Sequence, residues 1–254
     1  MNEELTSKIK EEVNKALDNA ENIWNEVGEQ FAIEKAEVRM FSEGAKVPSQ
    51  IPGHKILTEG KPEVGDFIAL VLDIRNSTEH LLVANKAKAT QLERVLYETT
   101  AINTAGAVVI EYYKGGLTEY LGDGFLALFK IEDEKNSKNI VYSAHDAAKC
   151  CLKEALNIVN DIISKRYELP KLSIGIGLAY SKAIVTIVGI NDNLHPKALG
   201  ECIFRASKLA GGHNEIHIDK KLKYLWPKSD NGQLRFIFTD RFEKIEGYLI
   251  SKKA

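Results

Sequence analysis

Three cysteines in 254 residues, two of them adjacent, leave little for a disulfide framework. No second Cys or His stands at zinc-ligand spacing from Cys150, Cys151 or Cys202, so a structural zinc site is not expected either. The three read as small core residues of a cytosolic protein. No apolar run approaches the roughly 20 residues that span a bilayer. The chain opens Asn2-Glu3-Glu4 with no apolar h-region, so neither a membrane role nor a secretory signal is expected, and the localisation is read as cytoplasmic. A net charge of -2 supplies no field to recruit nucleic acid or an anionic membrane. Internal repeats, low-complexity tracts and a Walker loop are all missing.

What is present is an ordinary globular composition, 44% hydrophobic. Residues 3–37 carry Leu5, Ile9, Val13, Leu17, Ile23, Trp24, Val27 and Phe31 at spacings near three and four. This is an amphipathic helix that packs on the main domain or on a second subunit. Residues 42–66 are rich in Gly and Pro and read as a linker or irregular covering segment. The division expected is an N-terminal helix and linker over 1–60 and a main domain over 61–254, its folded part beginning near Asp66.

Residues 67–72 form a short buried strand ending in Asp73. Ser77 is placed to cap a following helix. Residues 108–113 read as a strand, 114–116 as a turn, and 117–129 as a second strand interrupted by Gly122-Asp123-Gly124 near the hairpin tip. A helix over 138–166 follows, then strands over 172–178 and 183–188. A short helix over 203–209 ends at Gly211 and Gly212, and strands come over 216–218, 236–242 and 247–251. The order is β-α-β-β-α-β, an α+β fold of ferredoxin-like type with an N-terminal helical extension and extra C-terminal strands.

In such a sheet the first strand and the hairpin lie centrally, so Asp73 and Asp123 can converge. Converging carboxylates repel and call for cations. Mg²⁺ or Mn²⁺ shared with substrate phosphates is the usual solution, held by one or two carboxylates, backbone oxygen and water. Gly122 and Gly124 permit a sharp turn and leave room for a polyphosphate. Backbone amides of Asn76, Ser77 and Thr78 at a helix N-terminus make an anion site. Arg75 offers a fixed positive charge beside it, or a surface salt bridge. Gly175 and Gly177 lie inside a strand, which rules out a dinucleotide fingerprint. His195, His213 and His217 read as structural or exposed rather than as ligands.

The segments Phe67-Ile-Ala-Leu-Val-Leu-Asp73-Ile-Arg-Asn-Ser-Thr78 and Tyr120-Leu-Gly-Asp123-Gly-Phe-Leu-Ala-Leu-Phe129 resemble the two metal segments of the class III adenylyl and guanylyl cyclases. Residues 172–177 and 188–189 resemble that family's central strand pair. Residues 200–209 resemble the helix after its dimerisation arm. The resemblance covers roughly 66–250. It implies a cyclase core, two divalent metals held by Asp73, Asp123 and the carbonyl of Ile74, and a homodimer whose active sites lie at the interface. The reaction implied is attack of the 3′-hydroxyl of a nucleoside triphosphate on its own α-phosphate, releasing pyrophosphate.

Departures from the family pattern bear on the substrate. The family's adenine-reading lysine position holds Glu119, and the partner aspartate position holds Lys197. Inverted charges oppose the donor and acceptor pattern of adenine. Glutamate also serves guanine in guanylyl cyclases, and Glu119 with Lys197 can meet uracil or cytosine; the two can equally form an ordinary salt bridge. The asparagine position that stabilises the transition state holds Phe204, which can stack on a base but cannot hydrogen-bond a ribose. The corresponding arginine position holds Lys208, with Arg205 nearby as a substitute. Lys244 approximates the family's phosphate-binding lysine. Intact metal positions with altered base and ribose readers resemble the pyrimidine cyclases of bacterial Pycsar antiphage systems. That resemblance implies cyclic UMP or cyclic CMP made for a separate effector. An adenylate or guanylate cyclase, a degenerate nucleotide-binding module, and a palm-type polymerase or diguanylate cyclase are the alternatives.

Overall fold

The computed structural model describes residues 45–77, 91–190, 193–228, 232–242 and 245–252. The expected N-terminal helix over 3–37, Thr78 and Lys244 lie outside the described residues. Strand β3 (Glu63–Ile74) is the spine. It is followed by helix α1 (Gln91–Tyr112), strands β4 (Gly116–Leu121) and β5 (Gly124–Ile131), and helix α2 (Glu134–Cys150). One π-helical turn (Cys151–Ala155) leads into α3 (Leu156–Tyr167) and strand β6 (Ile174–Ile190). That run is the β-α-β-β-α-β order read from the sequence. Strands β8 (Glu215–Asp219), β9 (Leu234–Thr239) and β10 (Gly247–Lys252), with helices α4 (Glu201–Leu209) and α5 (Lys220–Leu225), extend it.

The sheet runs β4-β5-β3-β6-β8-β10-β9, with β7 (Asn193–Gly200) pairing on β6. Only β5 of the hairpin is central; β4 is an edge strand, so one of the two hairpin strands does not lie where the sequence put it. Residues 108–113 are not a strand. Residues 108–112 end α1 and Tyr113 begins the turn after it, because Val109 and Ile110 bury against the sheet while Val108 faces outward. Burial overrides the β preference of Val and Ile there. The hairpin strands are therefore β4 and β5, joined by Gly122-Asp123. The two strands expected over 172–188 are one continuous strand, β6.

The main hydrophobic cluster fills one face of the sheet. Leu70, Leu72, Phe125, Ala127 and Phe129 meet Val141, Ala144, Ala148, Cys151, Val159 and Ile163 of the α2–α3 helices. The alanines on α2 let it approach closely, and each fully buried large side chain contributes about 1.5–3 kcal/mol. Asn160 ties this layer to the segment leading into β6, donating from its side-chain amide to the carbonyl of Leu172 at 3.1 Å and accepting from its amide at 2.6 Å.

Two compact units are distinguished: 66–181 with 200–254, and 1–65 with 182–199. In the second, β1 (Lys46–Pro48) and β2 (Ile56–Thr58) pair antiparallel. The Gly- and Pro-rich segment is thus partly a small ladder rather than wholly irregular. Residues 182–190 and β7 form an arm in the same unit, with Gly189 at φ +129° where a Cβ would strike the carbonyl of Asn193.

Candidate active site

Asp73 and Asp123 are brought together by sheet register. β3 and β5 run antiparallel with Asp73 opposite Gly124 and Leu72 opposite Phe125. The amide of Ile74 donates to the carbonyl of Asp123 at 2.8 Å, fixing the hairpin turn against the end of β3. Gly124 is required by this approach: a Cβ there would stand 1.9 Å from the carbonyl oxygen of Leu72. Gly122 is different, with nothing within 4 Å of its Cβ position, so the turn opens to solvent at that point.

The two carboxylates are close enough to repel and to share a hydrogen bond. Burial, then the charge of Asp123, push the Asp73 carboxyl up to about 6, with Arg75 opposing. The Arg75 guanidinium forms an ion pair with Asp73, while its Nε is buried with no partner. Ser77 donates its hydroxyl to Asp123 at 2.6 Å. Asn76 makes the turn between them in left-handed backbone, φ 58°, a conformation Asn tolerates better than most residues. The amide of Arg75 is taken up by the carbonyl of Ser173 at 2.8 Å. Arg75 therefore reads as the resident counter-ion of Asp73, not as an exposed salt bridge.

Ser77, Gly122 and Asp123 wall a cavity of about 330 Å³ with Ile74, Val95, Glu98 and Thr99, and Asp73 lies beside it rather than in its lining. Glu98 was not singled out from the sequence. It is buried, and Arg94 donates to it from Nε at 2.7 Å. The i,i+4 spacing of Arg94 and Glu98 was visible, but ordinarily marks an exposed helix face. Among the described residues no group of three or more His, Cys, Asp or Glu could hold a metal by themselves. Two carboxylates leave most of a cation's coordination to backbone oxygen, water and ligand phosphate, which is how Mg²⁺ is usually held. The donor set, all hard oxygens with the Asp73 carboxyl held above its ordinary pKa by burial and then by Asp123, fits such a cation.

The recognition candidates are dispersed. Glu119 pairs with Leu126 across β4–β5, as Val71 does across β3–β5. Cross-strand partners share a face, so Glu119 and Asp73 lie on the same side of the sheet, two residues apart in register. A bulge falls between Leu117 and Glu119. Lys197 lies half-buried in β7 of the arm. Phe204 is 63% exposed on α4, and Lys208, one turn on, is exposed too. Arg205 is directed elsewhere. Its Nε is 3.7 Å from Glu201, and its charge also bears on buried Asp219.

Helix α4 reaches this position by packing on glycines. A Cβ at Gly175 would meet the carbonyl of Ala210 at 1.9 Å, and one at Gly177 that of Ala206 at 2.0 Å. Cys202 is on the buried face of α4 and its amide donates to the Ser181 hydroxyl at 2.9 Å. The histidines are not in the carboxylate cavity. His195 contacts Asn193 at 2.6 Å in the arm, His213 is exposed, and His217 is fully buried in β8 beside Arg241.

No protein-family model matches the chain, and no curated protein does. Solved structures do match. The guanylyl cyclase Cya2 is 18% identical, with 76% of this chain and 94% of that chain covered and a TM-score of 0.57. The adenylyl cyclase CyaB from P. aeruginosa is 16% identical over 76% and 97%, TM-score 0.60. The guanylate cyclase domain of RhGC from Catenaria anguillulae, in complex with GTP, is 15% identical over 76% and 100%, TM-score 0.55. The chain has the class III nucleotide cyclase fold. Among the described residues no helix is long and apolar enough to cross a membrane.

Proposed function

We propose that this chain is a nucleotide cyclase that converts a pyrimidine nucleoside triphosphate, UTP or CTP, to its 3′,5′-cyclic monophosphate and pyrophosphate. The observation that carries the reading is the Asp73–Asp123 pair, held together at the end of β3 on a fold shared with adenylyl and guanylyl cyclases. Asp73, Asp123 and the carbonyl of Ile74 would hold two divalent cations. When bound, these supply charge at the α-phosphate and acidify the ribose 3′-hydroxyl.

The chain's own groups do the rest. Ser77 orients the Asp123 carboxylate through its hydroxyl. Arg75 balances Asp73 before substrate arrives, and its guanidinium, once released, stands where a triphosphate oxygen can be met. Amides of Asn76, Ser77 and Thr78 receive the distal phosphates, and Lys244 adds a further charge. Phe204 and Lys208 share an outward face of α4, so they serve the site of a second copy in a homodimer. There Phe204 stacks on the base and Lys208 neutralises charge in the transition state. Arg205, engaged with Glu201 and Asp219, is the weaker candidate. Glu119 and Lys197 read the pyrimidine edge, and the cyclic product acts on a separate effector in antiphage defence. The protein is placed in the cytoplasm.

The test is incubation with ATP, GTP, CTP and UTP and Mn²⁺, with pyrophosphate measured and the product identified by mass. A cyclic pyrimidine nucleotide is expected. A cyclic purine would overturn the base assignment and leave the cyclase reading. Exposed Phe204 supports a second reading, a nucleotide-binding module without turnover, for which binding without pyrophosphate release would be the result.

A further inference from the structure

At the opposite edge of the sheet from β4 lies a cavity of about 450 Å³. Its walls come from Tyr142 of α2, Lys223 of α5, Trp226 and Lys228 just beyond α5, and Gln233 and Phe236 at β9. The size falls within the ordinary range for small-molecule sites. The aromatic residues are braced rather than loose. Trp226 meets Phe236 edge-to-face at 5.0 Å and His145 at 5.2 Å, and is 9% exposed. Tyr142, by contrast, presents an exposed ring. Lys223 lines the cavity and its ammonium lies 3.8 Å over the ring of Tyr248. No carboxylate is among the described lining residues.

Aromatic faces bind planar rings whatever the base. Lysines supply point charges for phosphate, and a Gln amide both donates and accepts. We propose that this cavity is a second ligand site, taking a nucleoside monophosphate, linear or cyclic: the ring between Tyr142 and the Trp226–Phe236 pair, the phosphate at Lys223 and Lys228, the base edge at Gln233. It shares no residue with the carboxylate cavity and does not depend on the cyclase reading. If that reading holds, the cyclic product belongs to the class of ligand this site takes, so occupancy would report product to the enzyme.

Trp226 reads the site directly. With Trp24, the chain's other tryptophan, replaced by Phe, fluorescence is titrated with UMP, CMP, AMP, GMP and their 3′,5′-cyclic forms in EDTA. At least one of these probes is expected to quench saturably. Lys223→Glu with Lys228→Glu should weaken that binding at least about tenfold. Tyr142→Ala, at an exposed position, should weaken it without disturbing the fold, checked by circular dichroism. Asp73→Asn with Asp123→Asn should leave it unchanged. The proposal is overturned if no probe quenches, or if the quench survives the lysine and tyrosine changes. It is likewise overturned if the quench disappears in the aspartate variant, which would place the signal at the carboxylate site whether or not that site is a cyclase.

Discussion

The carboxylate cavity and the outward face of α4 are built differently. Asp73 and Asp123 are fixed by a ladder of paired residues, by an amide–carbonyl bond across the turn, and by Gly124 pressed on a backbone oxygen. Phe204 and Lys208 stand on an exposed surface where their side chains meet little of the rest of the chain. The proposed metal-holding pair is thus written into the sheet, while Phe204 and Lys208 occupy positions that packing does not constrain. Substituting the first region should break the enzyme or the fold. Substituting the second should slow turnover or weaken nucleotide binding while leaving the fold intact.

The largest effect expected is at the carboxylates. Asp73→Ala or Asp123→Ala should lower kcat by about a thousandfold or more, since each removes charge that the transition state needs. Circular dichroism should be unchanged. The glycines of the turn divide sharply. Gly124→Ala should cost about 1–3 kcal/mol in a urea titration, because backbone cannot yield as a side chain can. Gly122→Ala should stay within about 0.5 kcal/mol of the parent. Equal effects at the two would remove the close approach from the account.

Exchanging the proposed base readers, Glu119→Lys with Lys197→Asp, should raise the ATP:UTP ratio of kcat/KM by about tenfold, the scale of one recognition contact. An unchanged ratio would separate these residues from specificity.

The smallest effect concerns pH. The Asp73 carboxyl is raised from 3.8 to about 6 in the folded chain. Its contribution to stability is therefore fully present below about pH 4 and lost as pH rises through 6. In EDTA, Asp73→Asn should melt roughly 2 °C above the parent at pH 7.5, with the gain gone by pH 4. Mn²⁺ should raise the melting point of the parent and not that of the variant.

The strands that position the site were legible because their signals were redundant. Residues 67–72 are apolar throughout and end in an acid; Gly-Asp-Gly marks a turn whatever surrounds it. The first hairpin strand was misplaced because Val108, Val109 and Ile110 carry strand propensity, while the helix that contains them is decided by burial against β5 and its neighbours. Helix α5 went unread although Asp219 caps it, accepting from the amide of Leu222 at 2.8 Å, because six residues give too short a period. Helix α4 was found, but the reason for Gly175 and Gly177 was not: nothing local says that a helix will lie against a strand at those two points. The recognition residues rested on resemblance, and α4 supplied the outward direction of two of them.

Cation binding puts the central claim to its most direct test. Mn²⁺ uptake is followed by loss of the free-ion electron paramagnetic resonance signal, in the parent chain and in Asp73→Ala and Asp123→Ala. The account predicts saturable uptake by the parent, strengthened by a nucleoside triphosphate and lost in either variant alone. Parent-like uptake in both single variants would contradict it.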